Sequence, residues 1–281
     1  MKLTKIVIIG MGLIGGSIGK AVIKNGLASE VVGVCRRRSS LLRAIKEKSL
    51  TKGYVNDHKK AIAGAEIVII ATPVHTIKMV LDNLAGVLDD PRVIVTDVGS
   101  TKKEIVKHAD RYRKRFTFIG GHPLAGSEKM GVEYSRPDLF NDSICILTPD
   151  KHIKAGLRDK LAGLWRGVGA KVIFMTPAKH DEYLAFSSHL PHVVAYALAG
   201  SADAELPREM FATGFKDTTR IASSEPVLWS DIFLSNRGNI LKAVKKFKQV
   251  LLGIESDMKA KKTNRLVKKL EYCKGVRDGI V

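Results

Sequence analysis

His122 is the side chain in this chain best suited to move a proton. It stands in GGHPLAGSE, residues 120–128. An imidazole titrates near neutral pH, and the flanking Gly and Pro residues predict a stiff loop, just after an apolar strand, where a ligand can reach it. Three further groups accompany it. Ser100 lies in TDVGSTKKE, residues 96–104, between a strand pattern and a helix pattern. Thr101 and Glu104 have capping-box spacing, so Ser100 is open to two readings, a helix cap or a contact to cofactor or substrate. SSHLPH, residues 187–192, puts Ser188 and His192 at the opening of an apolar helix, where polar groups need partners. Arg220 follows Asp217 by three residues in GFKDTTR, residues 214–220. Either the two pair with each other, or the guanidinium fork takes a substrate carboxylate.

A glycine loop supplies the second kind of chemistry. The β-branched run Lys5–Ile9 leads into Gly10-Met11-Gly12-Leu13-Ile14-Gly15, and a helical pattern follows from Ser17. In such a strand-to-helix turn Gly10 allows the bend and Gly12 lets the backbone approach a pyrophosphate. Gly15 seats the helix against the strand, and the helix N-terminus offers free N–H groups. Leu13 and Ile14 within the turn, and Thr72 and Pro73 at the end of a later strand, complete the expected cofactor contacts. After the second strand, where an NAD site usually places an acid for the ribose 2′-hydroxyl, this chain has Cys35-Arg36-Arg37-Arg38-Ser39-Ser40. Guanidinium and hydroxyl groups here suit a 2′-phosphate, so Arg36, Arg37 and Ser39 point to NADP, with NAD the alternative. A solvated basic loop that touches nothing is the bland reading of the same run.

The elements that must position these groups follow an α/β rhythm. Strands are expected at Val31–Cys35, Ile67–Ala71, Val93–Thr96, Phe116–Gly120, Ser143–Thr148 and Lys171–Met175, with helical spacing at Leu41–Glu47, Ala61–Ala65, His75–Leu84 and from Thr101. That alternation predicts a Rossmann-type, doubly wound, mostly parallel sheet. From Pro177 the pattern is helical only, over His180–Ala202, Arg208–Thr213, Pro226–Leu252 and Leu266–Tyr272. A dinucleotide-binding domain over residues 1–155 and a mainly helical substrate-binding and dimerisation domain over 156–281 are therefore expected, with homodimerisation through the apolar helices.

Composition narrows the class. The chain has 281 residues, enough for two cores, and a formal net charge of +19. Its lysines are spread over many segments, aromatic residues are only 6%, and no nucleic-acid motif accompanies the charge. A solvated basic face that also steers anionic ligands is the preferred reading over nucleic-acid binding. Cys35, Cys145 and Cys273 lack metal-ligand or disulfide spacing, so no metal is expected and a reducing cytoplasm fits. The glycines within the N-terminal apolar run argue against a signal peptide, and no other run is long enough for a membrane span.

Taken together, VIIGMGLIGGS (7–17), TDVGSTK (96–102), GGHPLAGSE (120–128), HDEYLAFSSHLPH (180–192), GFKDTTRIASS (214–224) and LWSDIFLSNR (228–237) resemble the prephenate/arogenate dehydrogenase family of tyrosine biosynthesis over almost the whole chain. The resemblance implies oxidative decarboxylation of a 4-hydroxycyclohexadiene acid, prephenate or arogenate, with hydride transfer to NAD(P). It makes His122 the base at the C4 hydroxyl and Ser100 the group that orients that hydroxyl. Arg220 becomes the carboxylate anchor with Asp217 beside it, His192 and Ser188 substrate contacts, and Glu128 an acid at the mouth of the site. A β-hydroxyacid-type NADP dehydrogenase is the competing enzyme class. That class uses a catalytic lysine in the second half and has no need of the paired GGHP and SHLPH motifs.

Overall fold

The computed structural model describes residues 2–126, 129–202 and 207–280. Its centre is an eight-stranded sheet in the order β3-β2-β1-β4-β5-β6-β7-β8. The strands are β1 (Leu3–Ile9), β2 (Ala28–Cys35), β3 (Lys52–Val55), β4 (Ile67–Ile70), β5 (Ile94–Asp97), β6 (Thr117–Pro123), β7 (Ile144–Thr148) and β8 (Lys171–Phe174). All neighbours pair in parallel except β6 and β7, which are antiparallel. Helices α1 (Leu13–Lys24), α2 (Arg38–Lys46), α3 (His58–Ile62), α4 (Val74–Ala85), α5 (Lys103–Ala109) and α6 (Ala155–Gly167) connect them.

The apolar runs explain why the central strands are covered on both faces. Along β1, Ile6 and Ile8 join a core with Phe140 and Trp165 on one side, while Val7 and Ile9 join Val68, Ile70 and Leu81 on the other. Strand order reverses between β1 and β4, which opens a crevice beyond their C-terminal ends, where a doubly wound sheet takes its ligand. The expected Rossmann-type fold is present. β3 carries no strong apolar alternation, with exposed Lys52 and Val55 at its ends, and sequence reading passed over it.

Beyond β8 the chain is helical: α7 (Pro177–Leu184), a π turn over Ala185–His189, α8 (Leu190–Gly200), α9 (Thr213–Thr219), α10 (Pro226–Ser235), α11 (Arg237–Lys259) and α12 (Thr263–Asp278). Two expectations need correction. The helix expected from Pro226 to Leu252 is broken at Asn236, whose side chain turns inward to the Asp181 carbonyl (2.6 Å). The Thr101–Glu104 capping box is absent: Lys102 is the N-cap of α5, and Glu104 faces Lys78 instead.

The glycine turn fits its task sterically. Gly10 has φ +97°, open to glycine at little cost, and a Cβ on Gly15 would lie 2.0 Å from the Gly10 carbonyl oxygen. A Cβ on Gly12 would meet nothing within 4 Å. Gly15→Ala should therefore force the strand and helix apart, and a thermal melt should show a loss of several degrees, consistent with about 1–3 kcal/mol for overpacking. Gly12→Ala should melt within about a degree of the parent, since it crowds nothing in the protein itself.

Candidate active site

His122 lies inside β6, one residue from its end, and not on a loop after it. The strand simply runs further than its apolar part, because the Gly-Gly-His-Pro segment pairs with β7: His122 opposes Ile146 and Pro123 opposes Cys145. A strand fixes an imidazole more tightly than a loop can.

Behind the ring stands a chain of hydrogen bonds. His122 Nδ1 is 2.8 Å from His180 Nε2, and His180 Nδ1 is 2.8 Å from Asp181 Oδ1. A carboxylate accepts only, so His180 carries its proton on Nδ1 and accepts at Nε2. His122 then donates through Nδ1, and its Nε2 is left with a lone pair. Asp181 is held in turn by backbone N–H groups of Lys102 (2.7 Å) and Lys103 (2.9 Å). This carboxylate, arriving from α7, does the capping that Thr101 and Glu104 were expected to do for α5.

A second buried unit steadies the same strand end. Asp97 closes β5 and accepts from the Gly99 and Gly121 N–H groups. Lys102, fully buried, donates its ammonium to Asp97 and to the Gly121 carbonyl (2.7 Å), beside His122. Burial lowers the Lys102 pKa, with Asp97 opposing the change.

Electrostatics keep the histidines neutral. Burial, then the neighbouring His180 and the Lys102 ammonium, hold the His122 pKa well below its ordinary value. Burial likewise lowers His180 and brings His189 down to about 4. Burial also pushes the Asp181 carboxyl up, but hydrogen bonds from His180 and the two backbone N–H groups outweigh it, and its pKa is lowered.

The helical half closes the site. The π turn at Ala185–His189 adds one residue to the helical winding. It leaves His189 buried against Asn236 while Ser188 and His192 reach a cavity of about 630 Å³. His192 donates from Nδ1 to the Ser188 carbonyl (3.0 Å) and stacks on Trp229, with ring centroids 3.4 Å apart and planes at 19°. Ser100, His122, Ser188, His192 and Arg220 all line this cavity, with Trp229 and Ile232 on its apolar side. Arg220 is exposed and, among the described residues, makes no ion pair with Asp217. Asp217 is not brought to the cavity wall, and Glu128 lies outside the described residues.

The glycine turn lies at the same C-terminal edge of the sheet. Gly12 is the N-cap of α1, which has no side-chain cap and no acid in its first turn, so its N–H groups are available to a pyrophosphate. A Cβ on Gly10 would come within 2.9 Å of the Thr72 methyl, so Thr72 abuts the glycine turn, and Pro73 caps α4. Leu13 and Ile14 pack half-buried against the core. Arg36 and Arg37 are exposed after β2, with Arg37 as the N-cap of α2 and Ser39 in its first turn. No group of His, Cys, Asp and Glu able to hold a metal occurs among the described residues, and none of their helices is long and apolar enough to cross a membrane.

Sequence reading missed His180, Asp181 and Asn236. The adjacent His-Asp pair in the first turns of the helix after Pro177 was the available signal, as was an Asn set between two apolar helical runs.

A doubly wound nucleotide fold with a neutral, oriented histidine at its ligand edge defines an NAD(P)-dependent oxidoreductase. Residues 18–174 match the family model "Prephenate dehydrogenase, nucleotide-binding domain" and residues 176–272 match "Prephenate dehydrogenase, dimerization domain". The prephenate dehydrogenase of Bacillus subtilis is 34% identical over 98% of this chain and 76% of its own length. The crystal structure of Aquifex aeolicus prephenate dehydrogenase with hydroxyphenyl propionate and NAD+ superposes with a TM-score of 0.91 at 32% identity, covering 100% of this chain and 99% of that one. Synechocystis arogenate dehydrogenase gives a TM-score of 0.84 at 29% identity, covering 99% of this chain and 100% of that one. This chain belongs to the prephenate/arogenate dehydrogenase family of aromatic amino acid biosynthesis.

The buried histidines make stability depend on pH in a defined direction. Their folded pKa values lie below the unfolded value near 6.5, so the unfolded state binds more protons as pH falls. Unfolding free energy should be level with respect to these groups above about pH 7 and decline below about 6.5, by up to about 1.4 kcal/mol per pH unit for each histidine. Urea titrations across pH 5–8 measure this, and His180→Gln should flatten the slope.

Proposed function

We propose that this protein is a prephenate dehydrogenase that prefers NADP. The reading is carried by one observation: His122, Ser100, Ser188, His192 and Arg220 share a single cavity at the C-terminal ends of β5 and β6, the edge of a doubly wound sheet that takes the ligand. The nicotinamide supplies an electrophilic carbon that accepts hydride. His122 Nε2 takes the C4 hydroxyl proton as the C4–H bond electrons leave, so that a carbonyl forms at C4. The bond to the ring carboxylate then breaks, CO₂ departs, and its electron pair aromatises the ring. The C4 oxygen takes back the proton from His122, giving 4-hydroxyphenylpyruvate, CO₂ and reduced cofactor.

Each other residue has a part in the same scheme. Ser100 orients the C4 hydroxyl toward His122. Asp181 and His180 keep the His122 tautomer fixed and offset the positive charge it gains. Arg220 holds a substrate carboxylate with its fork, and Asp217 influences it only from outside the cavity. His192, fixed by its bond to the Ser188 carbonyl and by Trp229, reads the side-chain end of the substrate. The nucleotide half runs through α6 and β8 and the substrate half begins at α7, later than the expected boundary at residue 155 because both elements belong to the sheet and its core, with a homodimer formed through the helical half. The apolar residues exposed on α11 and α12, among them Leu241, Leu251, Val267 and Leu270, support that assembly.

His122→Asn should lower kcat by about 10²–10⁴-fold with little change in KM. Arg220→Ala should chiefly raise KM, because the carboxylate it binds is charged in the ground state as well. Initial rates with prephenate and arogenate decide the substrate, and near-normal turnover by His122→Asn would remove His122 as the base.

Cofactor choice has its own test. Cys35 in place of an acid, followed by exposed Arg36 and Arg37, favours a 2′-phosphate. In Arg36→Ala/Arg37→Ala the ratio of kcat/KM for NADP over NAD should fall by at least about tenfold, the worth of one charge-assisted contact. An unchanged ratio would sink the assignment.

A further inference from the structure

A second cavity, of about 920 Å³, lies at the other edge of the sheet. Its walls are the segments before β5 and β6, the segment after β7, and the start of α7. Because β7 runs antiparallel to β6, these segments gather at the N-terminal ends of the parallel strands, away from the glycine turn and His122. Its volume lies in the range of small-molecule sites.

The lining combines apolar and cationic side chains: Val106, Phe118 and Leu157 are half-buried, and Lys107, Arg113 and Lys154 are exposed and form its rim. None of these three cations is in an ion pair among the described residues. A fourth cation on the wall, Arg92, is already bound by Asp90. Asp110 and Asp150 are the carboxylates of the lining, so positive charge is in excess even after Arg92 is set aside. Half-buried apolar groups beside exposed, unpaired cations complement a flat, ring-bodied organic acid.

This cavity also touches the supports of His122. Lys103 lines it, and the Lys103 N–H is bonded to Asp181 Oδ2 (2.9 Å). Thr176 and Pro177 line it as well, and they begin the helix that carries His180 and Asp181. We propose that the cavity is a second ligand site, for a ring-bodied organic acid, whose occupancy changes turnover by shifting α5 and α7 against the Asp181–His180–His122 chain. The coupling rests on the role proposed above for His122, whereas the site itself does not.

The test uses the full-length chain and indole-3-acetate as the probe. Calorimetry compares the parent with Lys107→Glu/Arg113→Glu, which strips the rim, and with Arg220→Ala, which strips the substrate cavity. The parent should bind the probe at millimolar concentration or better. The rim variant should bind at least about tenfold more weakly, while Arg220→Ala retains affinity for this site. No binding by the parent, or loss only in Arg220→Ala, overturns the site. At saturating prephenate and NADP the probe should change kcat of the parent by twofold or more and leave kcat of the rim variant unchanged. An unchanged parent kcat overturns the coupling even if the probe binds. Absence of turnover without the probe would count against the proposed reaction, with the calorimetric result still deciding the site.

Discussion

Everything at this site depends on one carboxylate. Asp181 belongs to α7, in the helical half, yet both its oxygens accept backbone N–H groups from the start of α5, which follows β5 of the sheet. One of those oxygens also accepts a hydrogen bond from His180 Nδ1–H. The same contact therefore joins the two halves, caps a helix and sets the tautomer of an imidazole one residue further away. A buried anion is costly unless its lone pairs are filled, and here each added partner both stabilises it and restricts its geometry. Asn236, bonded to the Asp181 carbonyl at the break between α10 and α11, extends that restriction into the long helices.

The Asp97–Lys102 pair works on the sheet side in the same manner. It binds the backbone of Gly121 through both its N–H and its C=O, so the two strand ends cannot drift apart without exposing a buried charge. His122 is consequently held from its own strand and from behind its ring. The groups expected to touch substrate have less support. Arg220 is exposed and begins a short 3₁₀ turn, which suits a side chain that gathers a carboxylate from solvent.

How much of this the sequence disclosed follows from the range of the interactions. β1, β4 and β5 were legible because strands buried on both faces read as apolar runs, and the glycine turn because its sterics are local. Ser100, His122, Ser188, His192 and Arg220 were each marked by polar types in turns or in apolar surroundings, and the fold brings them to one cavity. His180 and Asp181 were not singled out as functional residues, since their importance comes from partners dozens of positions away. The capping box failed for a related reason. Thr101 and Glu104 offered a local solution, but the helix begins one residue later, a tertiary carboxylate takes the Lys102 and Lys103 N–H groups, and the Thr101 hydroxyl is left without a partner.

The π turn between α7 and α8 carries a consequence for how such a pocket can diverge. It is one residue longer than the α-helical winding around it, and each residue of a helix turns the chain by roughly 100°. The wider winding of the π turn absorbs that extra rotation, so losing one residue between Ala185 and His189 would close it into ordinary α-helix with both flanking helices in phase, re-aiming Ser188 and its neighbours in the turn while His192 stays on Trp229. The sheet, the nucleotide turn and the Asp97–Lys102 pair would be untouched. The cavity wall around Ser188 can thus be reshaped by insertion and deletion at one spot, a route that point substitution does not offer.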